Sequence, residues 1–267
     1  MIVFKLGGSV LKQLHPAFFA KCRELSKENI PFVIVHGGGP FVSHWMKKLG
    51  KEPVFIEGRR VTDEKTLNIV QMVLAGQVNK HLVSRLINEG IPALGLSGID
   101  LNLIAVEPKD EKLGFVGEVT NLNKNVLHQI LESGWVPVLS SIGIGEKGQV
   151  FNVNADEVAS SVAQKMGVKQ LVMVSDVDGI FIKKGNEKKL LHRVTPEMVE
   201  QYIEEGQITG GMIPKVRSAV RCLDGQVEEV WIINGKKAHH MDKKGSYHPG
   251  TCLQKEEVSE NVSVSNL

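Results

Sequence analysis

The chain has 267 residues, of which 42% are hydrophobic and 23% are charged, as expected for a globular protein with a large core. Lys and Arg (32) nearly balance Asp and Glu (30), and only 5% of residues are aromatic, so neither a nucleic acid nor a membrane is an expected partner. Three widely spaced cysteines and an N-terminus without a leader pattern predict a cytoplasmic protein.

The first predicted strand, residues 2–6, is a short apolar run that ends at a pair of glycines. It contains Lys5, and Gly7, Gly8 and Ser9 follow it. Glycines allow backbone N–H groups to approach an anion closely, and the lysine adds a mobile cation. This junction is either an anion-binding turn or only a tight turn, and the rest of the chain has to decide between the two.

A second junction of the same kind follows residues 30–35, another apolar run, which ends at His36-Gly37-Gly38-Gly39-Pro40. Helical periodicity precedes this run and follows it, so strand, glycines and helix occur twice, which predicts parallel βαβ units. The carboxyl ends of parallel strands meet at one sheet edge, where open α/β sheets bind ligands. Two glycine turns at that edge favour a ligand site over plain turns.

A long helix is predicted to begin near residues 62–64 and to end near Gly90, after a strand-like stretch at 54–61. Its apolar face is broader than one face of a sheet needs. The excess packs either on a second subunit or within the core, and the sequence leaves both open.

The stretch Gly143-Ile144-Gly145-Glu146-Lys147-Gly148 matches the GxGxxG pattern of dinucleotide sites. That pattern has its mechanical meaning only where the last glycine opens a helix, and here residues 149–153 alternate as in a strand. We therefore predict a hairpin and no nicotinamide cofactor. The glycine-punctuated stretch 108–121 is predicted to be a hairpin lid.

The polar centre of the chain contains Asn152, Asn154 and Asp156. Strand alternation places the two asparagines on one face, and the aspartate falls at the start of a helix rich in Ala and Val. Helix capping explains one such residue but not three. Together with the glycine turns and with Lys5 and Lys215, this inventory suits anions and phosphoryl transfer.

Six motifs occur in a fixed order along the chain. They are Lys5-Leu6-Gly7-Gly8-Ser9, His36-Gly37-Gly38-Gly39-Pro40, Gly58-Arg59-Arg60-Val61-Thr62, Asn152-Val153-Asn154-Ala155-Asp156, Asp176-Val177-Asp178-Gly179 and Gly210-Gly211-Met212-Ile213-Pro214-Lys215. In this order the motifs resemble those of the amino-acid kinase family, over residues 1–253. The resemblance implies an α/β fold, a three-layer αβα sandwich around a mainly parallel open sheet. It also implies an amino-acid-substrate lobe at about 1–160, a nucleotide lobe at about 161–253 and a disordered tail at 254–267.

Within that family the motifs are most similar to those of members that act on N-acetyl-L-glutamate. The implied activity is ATP-dependent phosphorylation of the side-chain carboxylate of this acid, a step of arginine biosynthesis. A carboxylate with a pKa of about 4 is already ionised at neutral pH, so no general base is needed. Mg²⁺ is expected to arrive with ATP, because the sequence offers no carboxylate cluster to hold a metal.

By the same resemblance, Lys5 and Lys215 are catalytic residues that hold the charge of the transferred phosphoryl group, and Asp156 orients both ammonium groups. Arg60 suits the α-carboxylate of the acid substrate, because its planar fork binds a carboxylate with two hydrogen bonds. The other expected substrate-binding residues are Gly38, Gly39 and Asn152. The expected nucleotide-binding residues are Gly7, Gly8, Ser9, Asp176, Val177, Asp178, Gly179, Ile180, Phe181, Thr209, Gly210 and Gly211.

Two residues depart from the family pattern. Arg59 stands where an apolar residue is more usual, and Leu101 stands where glycine is usual. Both adjoin the substrate lobe, so a sister kinase acting on a carrier-linked aminoadipate of lysine biosynthesis remains an alternative, as does a non-catalytic nucleotide-binding regulator. The chain also lacks the N-terminal helical extension of arginine-inhibited, hexameric members, which predicts a homodimer without arginine feedback.

Overall fold

The computed structural model describes residues 1–184, 187–223, 225–237, 240–241 and 247–255. The tail predicted at 254–267 therefore lies outside the described residues, except for its first two positions. Gln254 is the last residue of a strand.

Strands and helices alternate along most of the chain. The strands of the described part are β1 (Ile2–Leu6), β2 (Phe32–His36), β3 (Phe55–Ile56), β4 (Arg59–Arg60), β5 (Ala93–Ser97), β6 (Ile104–Pro108), β7 (Val116–Leu122), β8 (Val136–Ser140), β9 (Ile142–Ile144), β10 (Val150–Val153), β11 (Gln170–Ser175), β12 (Ile180–Lys184), β13 (Glu187–Leu191), β14 (Arg193–Val194), β15 (Glu229–Asn234), β16 (His240–Met241), β17 (Tyr247–His248) and β18 (Thr251–Gln254). The helices of the same part are α1 (Pro16–Lys27), α2 (Gly39–Lys48), α3 (Glu64–Gln71), α4 (Asn79–Asn88), α5 (Lys124–Glu132), α6 (Ala155–Lys165), α7 (Pro196–Glu204) and α8 (Met212–Cys222).

An eight-stranded sheet with the strand order β14-β18-β15-β11-β1-β2-β8-β5 forms the middle of the molecule. Its central strand β1 is parallel to both neighbours, with Ile2 opposite Gln170 of β11 and Phe32 of β2. The strands β18 and β14, at one edge of the sheet, are the exception, because β18 runs antiparallel to β15 and β14 is parallel to β18. The predicted mainly parallel sheet is thereby confirmed.

Each face of this sheet carries its own hydrophobic core, because successive side chains of a strand point to opposite faces. Ile2, Phe4 and Leu6 of β1 pack with the apolar faces of α1, α2, α3 and α4. Val3 belongs to the other core, which contains buried residues of α5, α6, α7 and α8. Helices on both faces of one sheet make the three layers that the resemblance implies, and this prediction is confirmed.

A small closed barrel of β10, β7, β6 and β9 adjoins the sheet. Antiparallel β9 and β10 are joined through a 3₁₀ turn at Glu146–Gly148, so the GxGxxG match is a hairpin, as predicted. Lys147 and Gly148 both have positive φ there, which is the geometry of a turn and not of a helix start. The stretch 108–121, predicted as a second hairpin, contains the turn between antiparallel β6 and β7 and most of β7.

The stretch at 54–61 differs from the single strand predicted for it. Two left-handed residues, Glu57 (φ 48°) and Gly58 (φ 77°), fold it into the β3–β4 hairpin. Positive φ at both central residues is the mark of a type I′ turn, whose twist matches that of paired strands.

The predicted long helix is present, with a π-helical stretch at Met72–Val78 between α3 and α4. Asp63 caps its N-terminus, accepting a hydrogen bond from the backbone N–H of Thr66 at 2.8 Å. In the part of the chain that the structure describes, no helix combines the length and apolar character needed to cross a membrane.

Candidate active site

The two glycine turns touch each other at the carboxyl ends of β1 and β2. A Cβ atom added to Gly8 would lie 2.8 Å from Cδ of Pro40 and 3.0 Å from Cα of Gly38. Real Cβ atoms do not approach backbone this closely, so the contact requires glycine. The two turns predicted to share one sheet edge do so.

Lys5 and Asp156 form an ion pair beside these turns. The Lys5 Nζ atom lies 2.6 Å from Oδ1 of Asp156, and their side chains are only 16% and 22% exposed. Burial raises the pKa of Asp156, but the charge of Lys5 and hydrogen bonds with Lys5 and Ser218 outweigh it and hold the pKa below its usual range. The carboxylate is therefore ionised at neutral pH. Asn154 is the N-cap of α6, accepting a hydrogen bond from the Asp156 N–H.

The second lysine has a different partner from the one that the resemblance implies. Lys215 of α8 donates a hydrogen bond to Asp176, at the end of β11, over 2.6 Å. This contact lowers the pKa of Asp176, with the Lys215 hydrogen bond as its main cause. In this structure, Asp156 holds Lys5 and Asp176 holds Lys215.

Arg60 lies in the wall of a cavity of about 210 Å³, here called the Arg60 cavity. Its buried guanidinium donates hydrogen bonds to the Gly39 carbonyl oxygen (3.0 Å) and to Oγ of Ser43 (2.8 Å). Asn152, on another wall, donates a hydrogen bond to Oγ1 of Thr62 at 3.1 Å. All four residues predicted to bind the acid line this cavity, namely Gly38, Gly39, Arg60 and Asn152.

Two further cavities continue along the same edge of the sheet. The Lys5 cavity, of about 300 Å³, is lined by Lys5, Gly7, Gly8, Ser9, Asp156, Asp176 and Lys215, among others. The Asp178 cavity, of about 750 Å³, is lined by Asp176, Val177, Asp178, Phe181 and Thr209, among others. Gly8 lines both the Arg60 and the Lys5 cavities, and Asp176 lines both the Lys5 and the Asp178 cavities. The three cavities are therefore consecutive, with the two lysines in the middle one.

Four of the predicted nucleotide-binding residues do not line these cavities. Ile180 is fully buried in the core, and Gly179 packs so closely on Thr251 that a Cβ would lie 2.4 Å from its Oγ1. Gly210 and Gly211 lie in the loop before α8, where an added Cβ would meet nothing within 4 Å.

The structure adds two residues that sequence reasoning missed, Asn234 and Lys237, both in contact with the predicted Asp178. Asp178 accepts hydrogen bonds from Asn234 (2.8 Å) and Lys237 (2.7 Å), and these lower its pKa although burial raises it. Asn234 ends β15, the strand beside β11. The signal in the sequence is that Asn234 is a polar residue at the end of a predicted parallel strand, where open α/β sheets bind ligands.

His36, at the end of β2, supports the second glycine turn from inside the core. Burial lowers its pKa to about 4, so the ring is neutral at pH 7. In the tautomer that fits its neighbours, Nδ1–H donates to the Gly37 carbonyl oxygen (2.9 Å), and Nε2 accepts from Asn79 (3.1 Å). The ring thereby ties the glycine turn to α4.

The described residues contain no group of three or more His, Cys, Asp or Glu side chains that could hold a metal ion. At this edge of the sheet, Lys5 and Lys215 are each paired with an aspartate. Two lysines, a buried arginine and backbone N–H groups of two glycine turns surround a path through three cavities, which suits a reaction between anions.

Residues 1–234 match the model of the amino acid kinase family. The chain belongs to this family. It is 44% identical to the acetylglutamate kinase of Geobacillus kaustophilus (strain HTA426) over 256 residues, which are 96% of each protein.

Solved structures show the same fold. The crystal structure of smu.665 from Streptococcus mutans UA159 has a TM-score of 0.83 at 30% identity, over 96% of this chain and 98% of the other. Carbamate kinase from Giardia lamblia bound to AMP-PNP has a TM-score of 0.65 at 15% identity, over 96% and 98% of the two chains. At 15% identity this similarity supports the fold alone. It is the fold that the sequence motifs of our protein predict.

Proposed function

We propose that the protein transfers the γ-phosphoryl group of ATP to the side-chain carboxylate of N-acetyl-L-glutamate, giving N-acetyl-L-glutamyl 5-phosphate, a step of arginine biosynthesis. The observation that carries this proposal is the row of three consecutive cavities with Lys5 and Lys215 in the middle one. One end suits an acid, the other suits a nucleotide, and the reacting groups meet between them. Similarity to named acetylglutamate kinases supplies the choice of acid.

The electrostatic problem in this reaction is repulsion between a carboxylate and a triphosphate. Lys5 is fixed by Asp156, and it is well placed to neutralise charge on the transferred phosphoryl group. Lys215, which is bound to Asp176, lines the same cavity and adds a second cation there. Backbone N–H groups of the two glycine turns add donors on the same side.

The acid binds in the Arg60 cavity, with the buried guanidinium on its α-carboxylate and Asn152 on its amide edge. Gly38 and Gly39 face the reacting carboxylate. Because Arg60 is already held by Gly39 and Ser43, its position is set before the acid binds.

ATP binds in the Asp178 cavity, with its triphosphate directed at Gly7, Gly8 and Ser9. Carboxylate oxygens suit Mg²⁺, but Asp176 and Asp178 are already paired with lysines here. We therefore propose that Mg²⁺ arrives with the nucleotide, where it shields phosphate charge, and that the protein itself contributes the two lysines.

The alternative substrate, an aminoadipate on a carrier protein, would need Arg59 to be free to contact an acidic carrier. Arg59 is instead bound to Glu157 at 3.0 Å, and its side chain is only 29% exposed. A free small acid is therefore the better proposal. The non-catalytic alternative is disfavoured because Lys5, Asp156 and Lys215 all line one cavity.

The decisive experiment incubates the protein with MgATP, a candidate acid and hydroxylamine, which traps an acyl phosphate as a coloured hydroxamate. We expect a signal with N-acetyl-L-glutamate. A hydroxamate signal only with a carrier-linked acid would favour the sister kinase. No signal with any acid would favour a non-catalytic nucleotide-binding regulator. Free aspartate serves as the control acid.

We further propose a cytoplasmic homodimer. Its support is that Met72 and Ile87, on the α3–α4 unit, are 52% and 55% exposed. The three cysteines are free and buried, as in a reducing compartment. Sedimentation as a hexamer would contradict this assembly.

A further inference from the structure

A fourth cavity, of about 500 Å³, lies behind the Arg60 cavity, between α6, α8 and the barrel. We call it the Arg221 cavity, after one of the residues that line it. Arg59, Asn154 and Glu157 line both this cavity and the Arg60 cavity. These three residues therefore form a partition between the two spaces.

An ion network holds the partition in place. Oε1 of Glu157 accepts hydrogen bonds from Nη2 of Arg59 and from Nζ of Lys109, both at 3.0 Å. Lys109 also contacts Glu118 at 3.1 Å. Arg59 belongs to β4, Lys109 directly follows β6, and Glu157 lies in the first turn of α6. Three elements distant in sequence thus meet at one carboxylate.

The network leaves Arg59 little freedom. Its side chain is 29% exposed and that of Glu157 is 27% exposed, so solvent screens their attraction only partly. Asn154 is restrained as well, because its side chain caps α6. A wall built from restrained side chains excludes groups that a flexible wall would accommodate.

We propose that this partition sets the upper size of the acid that the protein accepts, with Arg59 and Glu157 as the specificity-determining residues. The Arg60 cavity alone, at about 210 Å³, suits a short N-acyl amino acid. Joined to the Arg221 cavity, it would admit N-acyl glutamates with larger acyl groups. The inference rests on the proposed function, and it deepens that function by assigning its discrimination to two residues.

The test compares kcat/KM for N-acetyl-L-glutamate and for N-benzoyl-L-glutamate in the unaltered protein and in the variants Arg59→Ala and Glu157→Ala. Shape exclusion in an enzyme pocket is commonly worth 10- to 200-fold. We expect the ratio of benzoyl to acetyl substrate to rise at least tenfold in either variant. An unchanged ratio in both variants would overturn the proposal.

Lys112→Met is the control, because it removes an exposed cation near Lys109 that lines neither the Arg60 cavity nor the Arg221 cavity. We expect its ratio to stay within twofold of that of the unaltered protein. A rise as large as in Arg59→Ala would show that the ratio changes without any change in the partition. That outcome would also overturn the proposal.

A binding measurement separates this inference from the proposed function. Calorimetry without ATP reports the affinity of each variant for the two acids, whether or not catalysis occurs. We expect tighter binding of the benzoyl acid to Arg59→Ala than to the unaltered protein. If the unaltered protein forms no hydroxamate from N-acetyl-L-glutamate, the proposed function is wrong. If folded variants show unchanged affinities for both acids, only the proposal about the partition is wrong.

Thermal unfolding verifies that each variant is folded. If Arg59→Ala is unfolded, Arg59→Leu, which keeps more of the side-chain packing, replaces it.

Discussion

Lys5 and Lys215 differ in how they are held, although both are proposed to serve the same phosphoryl group. We expect Lys5→Ala and Lys215→Ala each to lower kcat by about 10²- to 10³-fold, the usual cost of losing one charge-stabilising group. The affinity for N-acetyl-L-glutamate should change far less, because these charges matter most in the transition state. Steady-state kinetics with calorimetry tests this. Lys27→Ala, at the end of α1, is the control. Wild-type turnover in Lys5→Ala or Lys215→Ala would show that the altered lysine does not have the proposed catalytic role.

Leu101 has a backbone conformation that favours glycine. Its φ is 52°, in the left-handed region where a Cβ atom costs about 1 kcal/mol, and its side chain is 72% exposed. We expect Leu101→Gly to raise the free energy of unfolding by about 0.5–1 kcal/mol, since little buried contact is lost. Urea unfolding measures it. Leu101→Ala keeps the left-handed strain, and a gain in that control equal to the glycine gain would argue against the backbone explanation.

At the scale of elements, Asp63 is the N-cap of α3, at the start of the long helix. Asp63 accepts a hydrogen bond from the Thr66 N–H and also contacts Lys51. We expect Asp63→Ala to lower the free energy of unfolding by about 1 kcal/mol, the usual value of an N-cap. Asp63→Asn keeps a capping oxygen and loses only an exposed ion pair, so it should cost less. Equal losses in both variants would assign the effect to the ion pair.

Sequence reasoning succeeded where local pattern decides the structure. Continuous apolar runs identified β1 and β2, and their glycines indicated the shared edge. It failed where partners are distant along the chain. Arg59 and Glu157 are 98 residues apart, and Lys109 and Glu157 are 48 apart, so no spacing rule brings them together. The pairing of Lys215 with Asp176 could not be predicted from the sequence either. It depends on which of several carboxylates the folded backbone brings closest to the lysine.

At the scale of the whole molecule, His36 makes folding sensitive to acid. Its pKa is about 4 when folded and about 6.5 when unfolded, so between these values the unfolded chain binds a proton that the folded protein refuses. The free energy of unfolding therefore falls as pH decreases from about 6.5 to about 4, by roughly 3 kcal/mol in total from this group.

We expect His36→Gln to flatten this part of the pH dependence, although the variant is less stable at neutral pH because a buried contact is altered. Denaturant unfolding across pH 4 to 7 measures the slope. His128→Gln, at an exposed position of α5, is the control. An unaltered slope in His36→Gln would show that other groups cause the acid sensitivity.

The pairing of β1 with β11 crosses the expected boundary between the two lobes. Five consecutive residues of β1, Ile2–Leu6, pair in parallel with β11, from Gln170 to Val174. A hinge between the lobes would have to break the hydrogen bonds between β1 and β11 and separate both hydrophobic cores. The two lobes therefore move as one rigid body. We therefore expect the structural response to bound nucleotide to be confined to hairpins, loops and side chains at the edge of the sheet. Amide exchange in β1 and β11 should then stay slow throughout the catalytic cycle.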